Sequence, residues 1–323
     1  MAPPVRERKD LGKLMVAMDF EPQESGPLDA AAAVARYIEI APRLPQANMP
    51  STSVRRANLG DLVDEFDCFV LDGFGVLNVG ASAVPGAADR VASLRQAGCQ
   101  IRVLTNGASF PSSKTTAKYA GWGIDFELAH VVSSRDALAE ELRDHADRRW
   151  GFAALETSEI ERLAPHAVVL GDDDDTYDQV DGFVMLGTGS WTAERQARLL
   201  RSLHKRRRPV LVGNPDLVAP HEAGLSREPG LYAHALEDAD VCTPQFFGKP
   251  FDNAFERVRR TIHGIEPHRI AMVGDSLHTD ILGGAAAGWR TVLVLEHGLM
   301  KSLDVESAIQ SSGIRPNFIV LTT

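Results

Sequence analysis

The sequence predicts a doubly wound α/β fold: a parallel-sheet core interrupted by a second α/β unit. Three observations predict it. Cys68-Phe69-Val70-Leu71 is a short apolar run that ends at Asp72 and a glycine-rich turn, Gly73-Phe74-Gly75. A helical stretch and a second apolar run, Gln100 to Leu104, follow and end in Thr105-Asn106-Gly107. After a long interval the same pattern returns, with Ile270-Ala271-Met272-Val273 stopping at Gly274-Asp275. Polar residues at the carboxyl ends of buried strands stand where open α/β sheets keep their chemistry.

The composition bounds the class. The 323 residues are 44% hydrophobic and 24% charged, as in an ordinary globular protein with room for two domains. A net charge of -10 argues against nucleic acid or an anionic membrane as the partner. No apolar run reaches membrane-spanning length, and the N-terminus lacks a signal-peptide pattern. Cys68, Cys99 and Cys242 are too scattered for a disulfide framework or a zinc site. A reducing cytoplasm is the expected compartment.

Residues 1–58 are expected to be an N-terminal extension, broken by Pro3, Pro4, Pro22, Pro27, Pro42, Pro45 and Pro50. One helix is predicted from Leu28 through the alanine run to Ile40, packing on the main body or on a second subunit. The core begins at Leu59, with a short amphipathic helix to Phe66 leading into the Asp72 strand. Val84 to Ala97 reads as a helix with Pro85 near its start and Gly98 at its C-cap.

The expected domains are a core of 59–108 and 228–323 and an α/β insertion of 109–227. The insertion has predicted strands at 152–155, 167–170, 182–186 and 209–212, with helices at 134–146 and 192–207. Asp172 to Asp175, Asp178 and Asp181 form an acidic cluster without EF-hand spacing, so a solvated loop is the better reading. Arg206, Arg207 and Arg208 read as partners of a helix C-terminus. Thr192 reads as an N-cap after the Gly187-Thr188-Gly189-Ser190 turn. Asn214 and Asp216 fall where the insertion returns to the core. His204, His221, His234 and His268 are isolated.

In the last part Gly248-Lys249-Pro250 precedes a helix from Asn253 to His263. The 270–273 strand ends in Gly274-Asp275-Ser276-Leu277-His278-Thr279-Asp280. A helix to Gly288, a strand at 291–295 and a final edge strand at 317–320 complete the chain.

Asp72, Thr105-Asn106, Lys249, and Asp275 with Asp280 are together what Mg²⁺-assisted phosphoryl transfer requires. A carboxylate can attack phosphorus, a hydroxyl and a lysine can hold phosphoryl oxygens, and further carboxylates can hold the metal.

In this order Asp-x-x-Gly-Val-Leu, Leu-Thr-Asn, Gly-Lys-Pro and Gly-Asp-x-x-x-x-Asp, over about Leu59 to Leu295, resemble the haloacid dehalogenase superfamily. The large insertion and Val212-Gly213-Asn214-Pro215-Asp216 resemble its class IIA branch of aryl, pyridoxal, phosphoglycolate and sugar phosphatases. The resemblance implies a Rossmann-like core with a mobile α/β cap. It implies Asp72 as nucleophile, and Mg²⁺ held by Asp72, the Phe74 carbonyl and Asp275 with Asp280 in support. Thr105, Asn106, Lys249 and the Gly73 and Phe74 N–H groups would grip the phosphoryl group of a small phosphorylated metabolite. A homodimer is expected by analogy.

One position departs from the pattern. Those phosphatases carry a second Asp two residues after the nucleophile, as general acid and base; here it is Phe74. Such help is typically worth about 10² to 10⁴ in rate. A phosphohydrolase for good leaving groups is therefore the leading expectation, with His278 or a cap residue able to replace the acid. The alternatives are a catalytically impaired phospho-ligand-binding or scaffold protein, and carbon–halogen hydrolysis.

Overall fold

The computed structural model describes residues 29–323. Residues 1–28 of the expected extension, with the predicted helix start at Leu28, lie outside the described residues.

Seven parallel strands form the larger sheet, in the order Val54–Asn58, Phe318–Thr322, Arg290–Val294, Ile270–Gly274, Cys68–Leu71, Gln100–Thr105 and Val131–Ser133. Five strands form a second parallel sheet, in the order Gln245–Phe246, Val210–Val212, Gly182–Met185, Trp150–Ala153 and Val168–Val169. The expected doubly wound core with an added cap sheet is thus what the chain forms.

Alternation along each strand divides the larger sheet's side chains between two cores. Phe69, Leu71, Ala271 and Val273 face a cluster with Leu62, Phe66 and Val91. Cys68, Val70 and Met272 face Phe255 and Trp289 on the other side. From Cys68–Leu71 the chain steps outward through Gln100–Thr105 to Val131–Ser133. It later returns beside Cys68–Leu71, on its opposite flank, as Ile270–Gly274. The order reverses between these two neighbours, and loops leaving the carboxyl ends on either side of such a reversal part to form a crevice.

Three strands correct the expected layout. Gln245–Phe246, within the stretch assigned to the core, pairs with Leu211–Val212 of the cap sheet. Phe318–Thr322 is internal, because Val54–Asn58 pairs beyond it and is itself the edge. The sequence hides that strand: it reads Val-Arg-Arg-Ala-Asn and is mostly exposed. Val131–Ser133, within the stretch assigned to the insertion, pairs with Val103–Thr105 of the larger sheet. Its three residues leave no periodicity to read. The predicted 59–66 helix is a 3-10 turn over Leu59–Leu62 with Gly60 bonded to the Asn58 side chain. The 84–97 helix spans Ala87–Gln96, its start delayed by Gly86 at φ 81°.

The predicted N-terminal helix forms over Ala30–Ile40, capped by Asp29 Oδ1, which accepts from Ala32 N at 2.7 Å. It packs on the main body. Ala33, Val34, Tyr37 and Ile40 are buried against Leu277, Ile281, Leu293 and Ile319. Burial of each large aliphatic side chain is worth about 1.5–3 kcal/mol, so this segment is an integral layer of the core. Arg36 and Arg43 pair with Asp238 on the Pro229–Asp238 helix.

The acidic cluster is ordered by pairing. Asp173 caps the Asp174–Gln179 helix, while Asp172 pairs with Arg195, Asp174 with Arg198 and Asp178 with Lys205. Thr192 caps the Ala193–Lys205 helix as expected. Arg208 does not serve that helix end: it is buried, bonding the carbonyls of Tyr177 and Val180.

Candidate active site

The four polar stations, Asp72, Thr105-Asn106, Lys249, and Asp275 with Asp280, each follow a strand or a tight turn. Cys68–Leu71 is fully buried, and Asp72 N donates to Val273 O at 2.8 Å, joining the nucleophile candidate to the neighbouring strand. The chain then doubles back: Leu77 N and Asn78 N both donate to Gly73 O, and Gly75 N donates to Asn78 O. Gly75 adopts φ 77°, and a Cβ there would collide with the Asp275 carboxylate, so only glycine fits.

The Lys249 ammonium lies 2.6 Å from Asp72 Oδ1 and 2.6 Å from Asp280 Oδ1. It is among the largest fully buried side chains of the protein. Carboxylate oxygens of Asp72, Asp275 and Asp280 lie within 4.8 Å of one another, the one such cluster found among the described residues. Asp275 is held by Leu299 N at 2.8 Å on Oδ2 and by the Ser276 hydroxyl at 2.8 Å on Oδ1. Asp280 Oδ2 accepts from Ser276 N at 3.1 Å.

Fully ionised, three carboxylates and one ammonium would carry a surplus of two negative charges in a nearly dry site. Burial pushes the Asp72 carboxyl well above its usual range, with Lys249 opposing and Asp280 and Asp275 adding to the rise. Asp275 is raised to about 7 by burial and then by Asp280. Burial by itself would lower Lys249, but Asp280, Asp72 and Asp216 outweigh it and hold the ammonium well above its usual range. A hard divalent cation is what this oxygen-donor set fits, because it cancels the surplus charge.

Thr105 ends its strand with Oγ1 accepting from Gly107 N at 3.1 Å. A Cβ on Gly73 would lie 3.2 Å from this hydroxyl and 2.8 Å from that of Tyr119, so both hydroxyls face the Gly73 backbone. Sequence reasoning missed Tyr119; it sits in the Ser112–Ala120 helix, with no motif around it.

Asn106 differs from the expectation that it grips the phosphoryl group. Its Nδ2 donates to Asp216 Oδ1 at 2.8 Å and to Lys249 O at 3.0 Å, and its Oδ1 accepts from Lys249 N at 2.8 Å. Both ends of the amide are spent on holding the Lys249 backbone. Gly248, at φ 124°, makes this possible, since a Cβ there would lie 2.5 Å from Asn106 Oδ1. Asp216 is half-buried, and its carboxyl is raised to about 7, first by desolvation, with Lys249 and Asn106 opposing.

Phe74 is half-buried, with Lys118 Nζ 5.4 Å from its ring centroid and the His221 ring 5.8 Å away. These two residues and Tyr119 line, with Thr105 and Phe74, a cavity of about 440 Å³. His278, one expected substitute for the missing acid, points elsewhere. It is buried against Tyr37, and burial lowers it to about 4.

Two family models match the chain: haloacid dehalogenase-like hydrolase over residues 69–165, and HAD-hydrolase-like over residues 246–322. Together they span more than half of it and contain Asp72, Thr105, Lys249, Asp275 and Asp280. The chain belongs to the haloacid dehalogenase-like hydrolases.

Among relatives in this superfamily, a dihydroxyacetone phosphatase of Corynebacterium glutamicum is 24% identical over 78% of this chain and 87% of its own. A phospholysine phosphohistidine inorganic pyrophosphate phosphatase of Danio rerio is 27% identical over 70% of this chain and 81% of its own. A solved structure described as a possible sugar phosphatase of the HAD superfamily, from Cytophaga hutchinsonii, superposes with a TM-score of 0.70. It is 25% identical and covers 85% of this chain and 98% of its own. The p-nitrophenyl phosphatase of Archaeoglobus fulgidus shares the fold, with a TM-score of 0.64 at 22% identity over 80% of this chain and 97% of its own.

Proposed function

We propose that the protein is a Mg²⁺-dependent phosphohydrolase of a small phosphorylated metabolite, working through an aspartyl-phosphate on Asp72. The observation that carries this reading is the buried cluster of Asp72, Asp275 and Asp280 around Lys249, with the Thr105 hydroxyl facing the Gly73 backbone next to Asp72. The phosphatase relatives support the reaction class.

Asp72 and Asp275 carboxylates with the Phe74 carbonyl would hold Mg²⁺, which neutralises the phosphoryl charge when bound. Lys249 opposes the rise that burial gives Asp72 and so favours its anion, and Asp280 keeps Lys249 in place. An Asp72 carboxylate oxygen forms a bond to phosphorus as the bond to the leaving oxygen breaks and that oxygen takes the electron pair. Thr105 and the Gly73 backbone hold the phosphoryl oxygens through the displacement. Water then attacks phosphorus, releasing phosphate and restoring Asp72.

Phe74 cannot donate a proton to the leaving oxygen. Substrates that depart as stable anions, such as acyl, aryl or anhydride phosphates, are favoured. The same absence supports a second reading, an impaired relative that binds its phospho-ligand without turnover. Three free, buried cysteines agree with a reducing compartment. Among the described residues no helix is long and apolar enough to cross a membrane. A homodimer remains part of the proposal by analogy.

Phosphate release from an aryl and an acyl phosphate, with and without Mg²⁺, tests this reading. Metal-dependent release that vanishes in Asp72→Asn is the expected result. No release from either compound overturns turnover and leaves the ligand-binding reading.

A further inference from the structure

We propose that the cavity beside Phe74 is a subsite for a second anionic group on the organic part of the substrate, with Lys118 as its counter-ion. This deepens the phosphohydrolase reading and rests on it for the position of the phosphoryl group.

The argument starts from an unmatched charge. Lys118 projects from the Ser112–Ala120 helix onto the cavity wall. Its Nζ lies 5.4, 5.4 and 5.2 Å from the ring centroids of Phe74, Tyr119 and Trp122. The sole oxygen it reaches among the described residues is Asn78 Oδ1, at 3.5 Å, too long for a strong bond. Burial lowers its pKa, and no carboxylate offsets that cost. Lys114, one turn earlier on the same helix, is by contrast paired with Glu159 at 2.6 Å.

The carboxylates on the same wall are already engaged. Asp216 accepts from Asn106 Nδ2 at 2.8 Å. Glu228 accepts from the Ser226 hydroxyl at 2.5 Å and from Asn214 Nδ2 at 3.0 Å. Glu222 accepts from Ala81 N at 2.9 Å and the Ser82 hydroxyl at 3.1 Å. Of the four charged groups, Lys118 alone lacks a close partner of its own.

The wall also defines the rest of the ligand. Thr105 places the phosphoryl group at this cavity, and the rings of Phe74 and Phe110 offer apolar surface beside it. Phe110 is 37% exposed, so part of its ring is open to a ligand in the cavity it lines. A short apolar or aromatic body carrying a carboxylate or a second phosphate satisfies the phosphoryl site, the rings and Lys118 together. Lys118 recognises charge, so either anion suits it.

Paired probes test this by calorimetry on the full-length Asp72→Asn protein with Mg²⁺, which keeps the ligands intact. Phenyl phosphate and 4-methylphenyl phosphate have no second anion; 4-carboxyphenyl phosphate and 1,4-phenylene bisphosphate have one. The charged pair is expected to bind about 10- to 100-fold tighter, as a charged hydrogen bond out of bulk water allows. Lys118→Met should erase that preference while leaving phenyl phosphate affinity within about twofold, and Lys118→Arg should retain it. A preference for one of the two anions identifies which the subsite takes. Equal affinity for all four probes, a preference that survives Lys118→Met, or no binding by any probe overturns the subsite. Failure of the wild-type protein to release phosphate, with the preference intact, sinks the turnover reading and leaves the subsite standing.

Discussion

The Tyr37 ring lies face to face on the His278 imidazole, with centroids 4.8 Å apart and planes 6° from parallel. The Tyr37 hydroxyl accepts from Leu217 N at 3.0 Å. One N-terminal side chain therefore braces two segments of the site: the loop bearing Asp275 and Asp280, and the turn that follows Asp216. Tyr37→Phe keeps the stack and orphans the Leu217 N–H, at a cost of about 1–3 kcal/mol. Tyr37→Ala also removes the buried ring and should cost about 3–5 kcal/mol. Urea unfolding midpoints check the order; equal midpoints for the two variants would show that the stack contributes nothing.

Lys249 is the single cation among three buried carboxylates. Lys249→Met leaves them uncompensated, and breaking a buried pair in this way costs about 3–5 kcal/mol. The loss should be largest at alkaline pH and shrink when Mg²⁺ is added or the pH is lowered. Melting temperatures across pH, with and without Mg²⁺, read this. Asp280→Asn, which removes one carboxylate and keeps the lysine, should be the milder change.

The polar stations were legible because each stands at the end of an apolar run or beside a glycine that the turn requires. Asp72 and Asp275 follow Cys68–Leu71 and Ile270–Gly274, so strand reading puts each at a strand end, while the sheet itself is what makes the two strands neighbours. The Asn106 contacts were not legible, since Asp216 is 110 residues away and the bond depends on how the cap returns. Tyr37 and His278 meet across 241 positions through helix packing that no local pattern encodes. Lys118 and Tyr119 share the gap: their helix has an ordinary amphipathic sequence, and what it faces is decided by the sheet beneath. Val54–Asn58 is a strand only because Phe318–Thr322 offers it a partner, which its own residues do not announce.

Proton and metal should compete at Asp275. Its folded carboxyl titrates at about 7, against an ordinary value of 3.8, and Asp72 is shifted the same way, burial being the largest cause for both. A raised folded pKa contributes stability that is complete below about pH 4 and is lost as pH rises through about 7. Mg²⁺ must displace those protons, so its binding should strengthen over the same interval. His234 and His278, lowered by burial to about 3 and 4, act in the opposite sense: their contribution is present above about pH 6.5 and falls away in acid. Subtracting metal-free from Mg²⁺-loaded melting temperatures largely cancels the histidines. The difference should be small at pH 5 and large at pH 8. A difference independent of pH would rule out proton–metal competition at this site.

Phe74 is the position where rate should be recoverable. Phe74→Asp restores a carboxyl two residues after the nucleophile, and it should raise turnover of alkyl phosphates more than of aryl or acyl phosphates. General acid help is worth about 10² to 10⁴ in rate at most. The single replacement should fall short of that range, because Lys118 Nζ lies 5.4 Å from the present ring centroid and would hold the new carboxylate ionised. An ionised carboxylate cannot protonate a leaving oxygen. Phe74→Asp with Lys118→Met removes the competing cation, and alkyl phosphate turnover should then exceed that of either single variant. Initial rates on a matched alkyl and aryl pair read both effects. If the double variant is no faster on the alkyl ester than Phe74→Asp alone, Lys118 does not set the protonation of residue 74. If neither is faster than wild type, the missing acid is not what limits the rate.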